Sequence, residues 1–220
     1  MISHDHVYTA LDVETTGLDP ARDHIIEIAL VALDRNGREI GVLDTLVKPA
    51  NGAGPGRTDI HGVRADMLTS APTFTQIAAH VSAFIAGTVP IAHYAKFDMG
   101  FLNTELDRAG APLPEVRSIC TIEAARAAGM SGPFGMMRVA AALGVEEQGL
   151  HNSLPDTRVC AAIFRRLLLR SRINPGELAR VRHSRLPGGA FCAAALPAMP
   201  MLALQLVSRM SLPGALNQTG

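Results

Sequence analysis

The sequence predicts an α/β domain over residues 1–170, followed by a compositionally different tail. Two observations carry the fold class. Three β-rich apolar runs joined by turn signals open the chain, and after residue 70 runs at helical spacing alternate with short buried apolar ones. A third observation points to where function sits: acidic residues recur at the ends of these elements rather than along their exposed faces.

Val7 to Leu11 alternates and is rich in β-formers, a buried strand that ends in Asp12-Val-Glu14-Thr15-Thr16-Gly17. Residues i and i+2 of a strand share a face, so Asp12 and Glu14 project together. Two carboxylates that close repel each other in a dry pocket unless a hard divalent cation neutralises them, and oxygen donors suit Mg²⁺ or Mn²⁺. A solvated strand end is the other reading of this pair alone. Further carboxylates converging on the same strand decide between the two.

His24 to Leu33 is dense in Ile, Leu and Val and reads as a second strand, Asp34-Arg-Asn-Gly37 as a hairpin turn, and Glu39 to Val47 as a third strand. The three make an antiparallel meander whose first member bears the carboxylates. Residues 49–58 form a Pro/Gly-rich loop that leads into Asp59-Ile60-His61-Gly62-Val63. Thr73 is placed to cap a helix carrying Phe74, Ile77, Ala78, Val81 and Ile85 at helical spacing. Val89 to His93 is a fourth, buried strand that feeds a helix from Lys96-Phe97-Asp98 to about Ala109. Asp98 there is either a first-turn acid favoured by the helix dipole or a third carboxylate at the same sheet edge, and position alone does not choose.

Val116 to Cys120 reads as a fifth strand, Thr121 to Ala128 as a helix, and Phe134 to Leu143 as another, closed by Gly144. Thr157 to Arg170 is the last core helix, with Val159, Ile163 and Leu167 on one face, Asp156 in its first turns and His151 in its approach.

The 20 basic and 20 acidic side chains cancel, which argues against a broad basic face for duplex DNA, RNA or anionic membrane. An enzyme that grips only a few nucleotides needs no such face. Cys120, Cys160 and Cys192 lie far apart, as expected of buried thiols in a reducing cytoplasm, and the N-terminus lacks the basic-then-apolar pattern of a signal peptide. His4 and His6 belong to a solvated, frayed terminus. Residues 171–220 hold five Arg against the single acid Glu177, net +4, leaving net −4 on the first 170. Pro197 and Pro200 interrupt the apolar run there, which falls short of the roughly 20 residues of a membrane span. The expectation is a linker-like tail, disordered or a docking segment for a partner.

From about Val7 to Leu168 the residues resemble the DEDDh 3′–5′ exonuclease family, typified by the proofreading ε subunit of bacterial DNA polymerase III. Asp12-Val-Glu14-Thr-Thr-Gly17-Leu18 matches its first motif. Ile60-His61-Gly62-Val63 with Ala71-Pro72-Thr73-Phe74 is similar to its connecting segment, His93 to Leu102 to its second motif, and His151 to Asp156 to its third.

The resemblance implies a ribonuclease H-like fold, a five-stranded mixed sheet flanked by helices, and two divalent cations, Mg²⁺ or Mn²⁺. By the same resemblance Asp12 bridges both ions, Glu14 and Asp156 complete the first site, Asp98 holds the second, and His151 is the general base. Thr15, Thr16, Gly17 and His61 are expected near the terminal nucleotide, with Phe97 packed beneath; a loop-stabilising imidazole is the other reading of His61. The implied activity is release of nucleoside 5′-monophosphates from single-stranded 3′ ends, DNA in proofreading or repair, with a polymerase catalytic subunit as a candidate partner. An exoribonuclease and a non-catalytic nuclease-fold subunit are the alternatives. Departures from the pattern are Tyr94 where many members carry Asn, Ser153 for a common Ala, and Pro155, which restricts Ser153-Leu154 to extended shapes but leaves a helix start possible.

Overall fold

The computed structural model of the chain describes residues 6–114, 116–146, 152–170 and, for the backbone, 181–182. β1 (Tyr8–Thr15), β2 (Ile25–Leu33) and β3 (Glu39–Leu46) form the antiparallel meander, with Asp12 opposite Ala29 and Glu14 opposite Glu27. The turn between β2 and β3 is built by Asp34, whose Oδ1 accepts the N–H of Asn36 and Arg38 at 2.7 and 2.9 Å, and by Gly37 at φ +71°.

β4 (Val89–Ala92) pairs parallel to β1 on its other side, and β5 (Arg117–Cys120) parallel to β4, giving the order β3-β2-β1-β4-β5. The five strands are those read from the sequence, and the sheet is mixed. At its edge, β6 (Val181–Arg182) runs antiparallel to Arg117 and Ser118. The rest of the tail lies outside the described residues.

The helices are α1 (Thr58–His61), α2 (Phe74–Ile85), α3 (Ala95–Arg108), α4 (Thr121–Ala127), α5 (Met136–Ala142) and α6 (Ser153–Arg170). Alternation along β1 divides the core. Leu11 and Val13 join Ile77, Val81, Met99, Phe101 and Leu102 under α2 and α3, while Tyr8 and Ala10 join Ile163, Phe164 and Leu167 under α6. Tyr8 and Phe164 meet edge to face at 4.9 Å. Asp12 and Glu14 continue the Tyr8–Ala10 row, so they come out on the α6 face of the sheet.

Two helix boundaries differ from the sequence reading. α5 is shorter than expected, starting at Met136, although Gly144 follows it in the left-handed conformation, with the N–H of Gly144 bonded to Ala141 O and that of Val145 to Ala140 O. α6 starts at Ser153 rather than Thr157, so Leu154 is helical and Pro155 does not hold the segment extended. The first intrahelical bond runs from Asp156 N–H to Asn152 O, which places Pro155 third in the first turn, where an N–H has no partner in the helix to lose. Among the described residues no helix is long and apolar enough to cross a membrane.

Candidate active site

β4 accompanies β1 only from Tyr8 to Ala10, so the edge of β1 beyond that point has no strand beside it. The first turn of α3 fills the space. Asp98 is placed there, 5% exposed, with the N–H of Val13 directed at its carboxylate. α6 crosses β1 and β2 on the other side and brings Asp156 over Glu14. An irregularity in register between Glu14 and Thr15 turns the strand end at this point.

Ligand oxygens of Asp12, Glu14 and Asp156 all lie within 4.8 Å of one another. Asp98 flanks Asp12 closely enough for its charge to raise the Asp12 pKa. Four carboxylates from three separate elements thus share one pocket. Burial is the largest cause holding Asp12 well above the usual carboxylate range, followed by the charges of Asp98, Glu14, Asp156 and Glu27. Glu14 is pushed up to about 7 by burial and then by Glu27, Asp156 and Asp98, and Asp98 to about 7 by burial. Clustered hard oxygen donors that repel one another suit a divalent cation, which neutralises what the protein leaves uncompensated.

Beyond Glu14 the chain turns tightly. Thr15 Oγ1 donates to Gly17 O at 2.6 Å, and Thr16 Oγ1 donates to Asp23 Oδ1 at 3.2 Å while accepting the N–H of His24 at 3.0 Å. A Cβ on Gly17 would stand 2.4 Å from the Asp23 carboxylate, so a larger residue there displaces that side chain and its bonds to Thr16 and Asp19. Gly56 in the 49–58 loop, at φ +80°, approaches Thr16 O so closely that a Cβ would lie 2.2 Å away. Phe97 packs against Phe101 with ring centres 4.9 Å apart, under the start of α3.

His61 makes the contacts of a loop-stabilising imidazole. It is 2% exposed, its Nε2–H donates to Pro55 O and its Nδ1 accepts the N–H of Val63, both at 3.1 Å. Both ring nitrogens are engaged within residues 55–63, so the imidazole stabilises the loop that carries Gly56 against Thr16. Of the departures, Tyr94 precedes α3 and is 56% exposed, and Ser153 is fully buried at the start of α6. His151 lies outside the described residues.

Glu27 is a site residue that the sequence reading passed over. It stands directly across from Glu14, its own pKa is raised by burial and by Asp44, and its Oε2 faces the Ser153 N–H at 3.5 Å at the head of α6. The signal was present: Glu27 is the single charged residue in the run Ile25–Leu33. Below the site, Cys160 is 1% exposed and burial pushes its thiol up, while Cys120 is also buried.

A mixed sheet whose central strand bears paired carboxylates, completed by acids from two helices, defines a ribonuclease H-like nuclease domain. The exonuclease family model RNase_T matches residues 9–164, and the chain belongs to that family. It is 34% identical over 188 residues to the DNA polymerase III subunit epsilon of Treponema pallidum (strain Nichols), covering 84% of this chain and 86% of that protein. Among solved structures it is similar to exonuclease X in complex with 5′ overhanging duplex DNA, with a TM-score of 0.61 and 24% identity over 79% of this chain and 98% of that one. It is also similar to the nuclease domain of 3′hExo, a DEDDh family member bound to rAMP, with a TM-score of 0.64 and 16% identity over 84% of this chain and 99% of that one. At these identities the two structures bear on the fold alone.

Proposed function

We propose that the protein is a metal-dependent 3′–5′ exonuclease that releases nucleoside 5′-monophosphates from single-stranded DNA 3′ ends in proofreading or repair. The observation that carries this reading is the convergence of Asp12, Glu14 and Asp156 within 4.8 Å, with Asp98 beside them. The similarity to a DNA polymerase III epsilon subunit supports DNA as substrate and a polymerase catalytic subunit as partner.

In this reading Asp12, Glu14, Asp98 and Asp156 would hold the cations, Glu14 and Asp156 with Asp12 at one site and Asp98 toward the other. Mg²⁺ or Mn²⁺ held there supplies Lewis-acid stabilisation of the phosphodiester and of the leaving 3′ oxygen. The protein's own residues do the rest. His151 takes the proton of the attacking water, a task suited to an imidazole, whose unperturbed pKa is about 6.5. The turn at Thr15 to Gly17 positions the terminal nucleotide, and the tilted ring contact of Phe97 with Phe101 stiffens the helix start that presents Asp98.

The test is a side-by-side digestion of 5′-labelled single-stranded DNA and RNA of matched sequence with Mg²⁺, with Mn²⁺ and with chelator. Metal-dependent shortening of DNA from its 3′ end is the expected result. Preference for RNA would replace the substrate assignment with an exoribonuclease. Inertness toward both under every metal would leave a non-catalytic subunit, for which co-purification with a polymerase is the next measurement.

A further inference from the structure

The loop joining β1 to β2 is fastened to α3 by contacts that the chemistry above does not use. Arg108, in the last turn of α3, donates from Nη2 to Pro20 O and Ala21 O at 2.9 and 2.8 Å, and from Nη1 to Asp23 O at 2.9 Å. Its Nη1 also meets Glu105 Oε1 at 2.8 Å, and His24 Nδ1 reaches that same oxygen at 2.8 Å. Glu105 is 5% exposed, a buried carboxylate shared by a guanidinium and an imidazole. Three backbone carbonyls and a carboxylate gathered by one planar fork is a geometry that the point charge of a lysine cannot reproduce.

The contacts continue from this clamp toward the site. Asp23, whose carbonyl Arg108 holds, accepts the Thr16 hydroxyl and the Asp19 N–H on its carboxylate and occupies the space left by Gly17. His24 accepts the Thr16 N–H on its carbonyl oxygen and donates its own N–H to Thr16 Oγ1. The same helix that carries Arg108 presents Asp98 from its first turn.

We propose that Arg108, together with Glu105 and His24, is a positioning device that sets the Thr15–Gly17 turn against α3 and so governs the grip on the 3′-terminal nucleotide. The proposal rests on the reading of Thr15 to Gly17 as substrate contacts. Arg108 touches neither the carboxylates nor the proposed substrate position, and its effect is on binding rather than on the hydrolytic step.

Full-length wild type, Arg108→Lys and Arg108→Ala are compared for kcat and KM on a single-stranded DNA oligonucleotide at saturating Mg²⁺. Amide hydrogen exchange of residues 16–24 is followed in the same preparations. Arg108→Ala is expected to raise KM about tenfold with kcat changed less than about twofold, and Arg108→Lys to fall between it and wild type. The Mg²⁺ concentration for half-maximal rate should not move, and exchange across 16–24 should accelerate while that of β2 does not. A loss confined to kcat, or unchanged exchange across 16–24, overturns the clamp. Should Arg108→Ala fail to fold, Glu105→Gln, which keeps the shape and weakens the shared contact, is put to the same two measurements. An inert wild type would overturn the exonuclease reading instead, and the exchange result would still decide whether the clamp exists.

Discussion

At the scale of single residues, the site is a set of charges that the fold holds together at an electrostatic cost. Burial pushes Glu14 and Asp98 up to about 7, against about 4 in an unfolded chain. Between those values the folded state therefore binds more protons than the unfolded one. Stability is greatest below the unfolded pKa and declines as pH rises through the folded one. In chelator, the melting temperature of wild type relative to Glu14→Gln, which removes one of these groups, should fall from about pH 4 to about pH 7, and added Mg²⁺ should weaken the trend. A wild type that gains on the variant as pH rises would sink this account. Asp12 and Glu14 were legible because the period of two in a strand places them together. Glu27 was passed over because an acid inside an apolar run reads as a strand residue until its partner across the sheet is known. Glu105 shows the same difficulty on a helix, since it falls on the buried stripe with Asp98, Phe101 and Leu102, where only the three-dimensional neighbours Arg108 and His24 explain it.

At the scale of elements, strands were easier to read than helix ends. Hydrophobic periodicity fixed the five strands to within a residue or two, because each buries an apolar row. α6 starts four residues before the expected Thr157 because a proline in the first turn gives up an N–H that the helix does not use. Two substitutions separate these effects by urea denaturation. Pro155→Ala should cost no more than about 1 kcal/mol, the entropy of a freer unfolded chain. Phe164→Ala, which empties a fully buried site against Tyr8, should cost about 3–5 kcal/mol. Comparable losses for the two would show that Pro155 has a structural duty beyond its place in the turn.

At the scale of the whole molecule, 20 basic and 20 acidic side chains leave no net charge to hold a long nucleic acid. Binding of single-stranded DNA by a chelated, non-cleaving preparation should therefore depend only shallowly on salt. A slope of log K against log salt no steeper than about −2 is expected, from two or three phosphates at about 0.7 each. A slope several times steeper would reveal an extended basic track. The fold class and the Asp12–Glu14 pair were legible because local patterns encode them, and the loop role of His61 because its partners lie within a few residues of it. The loop clamp was not, because it depends on where distant segments meet.

The separation of the carboxylates along the chain carries a consequence for biosynthesis. Two belong to the first strand, one to the third helix and one to the sixth. A ribosome that has delivered the meander has produced only two of the four proposed ligands, and Asp156 is the last of them to be made. In the proposed reading hydrolytic competence therefore arrives late, after β1 to β5 have been made, and a chain cut short before α6 is left with an acidic cluster that lacks its last member.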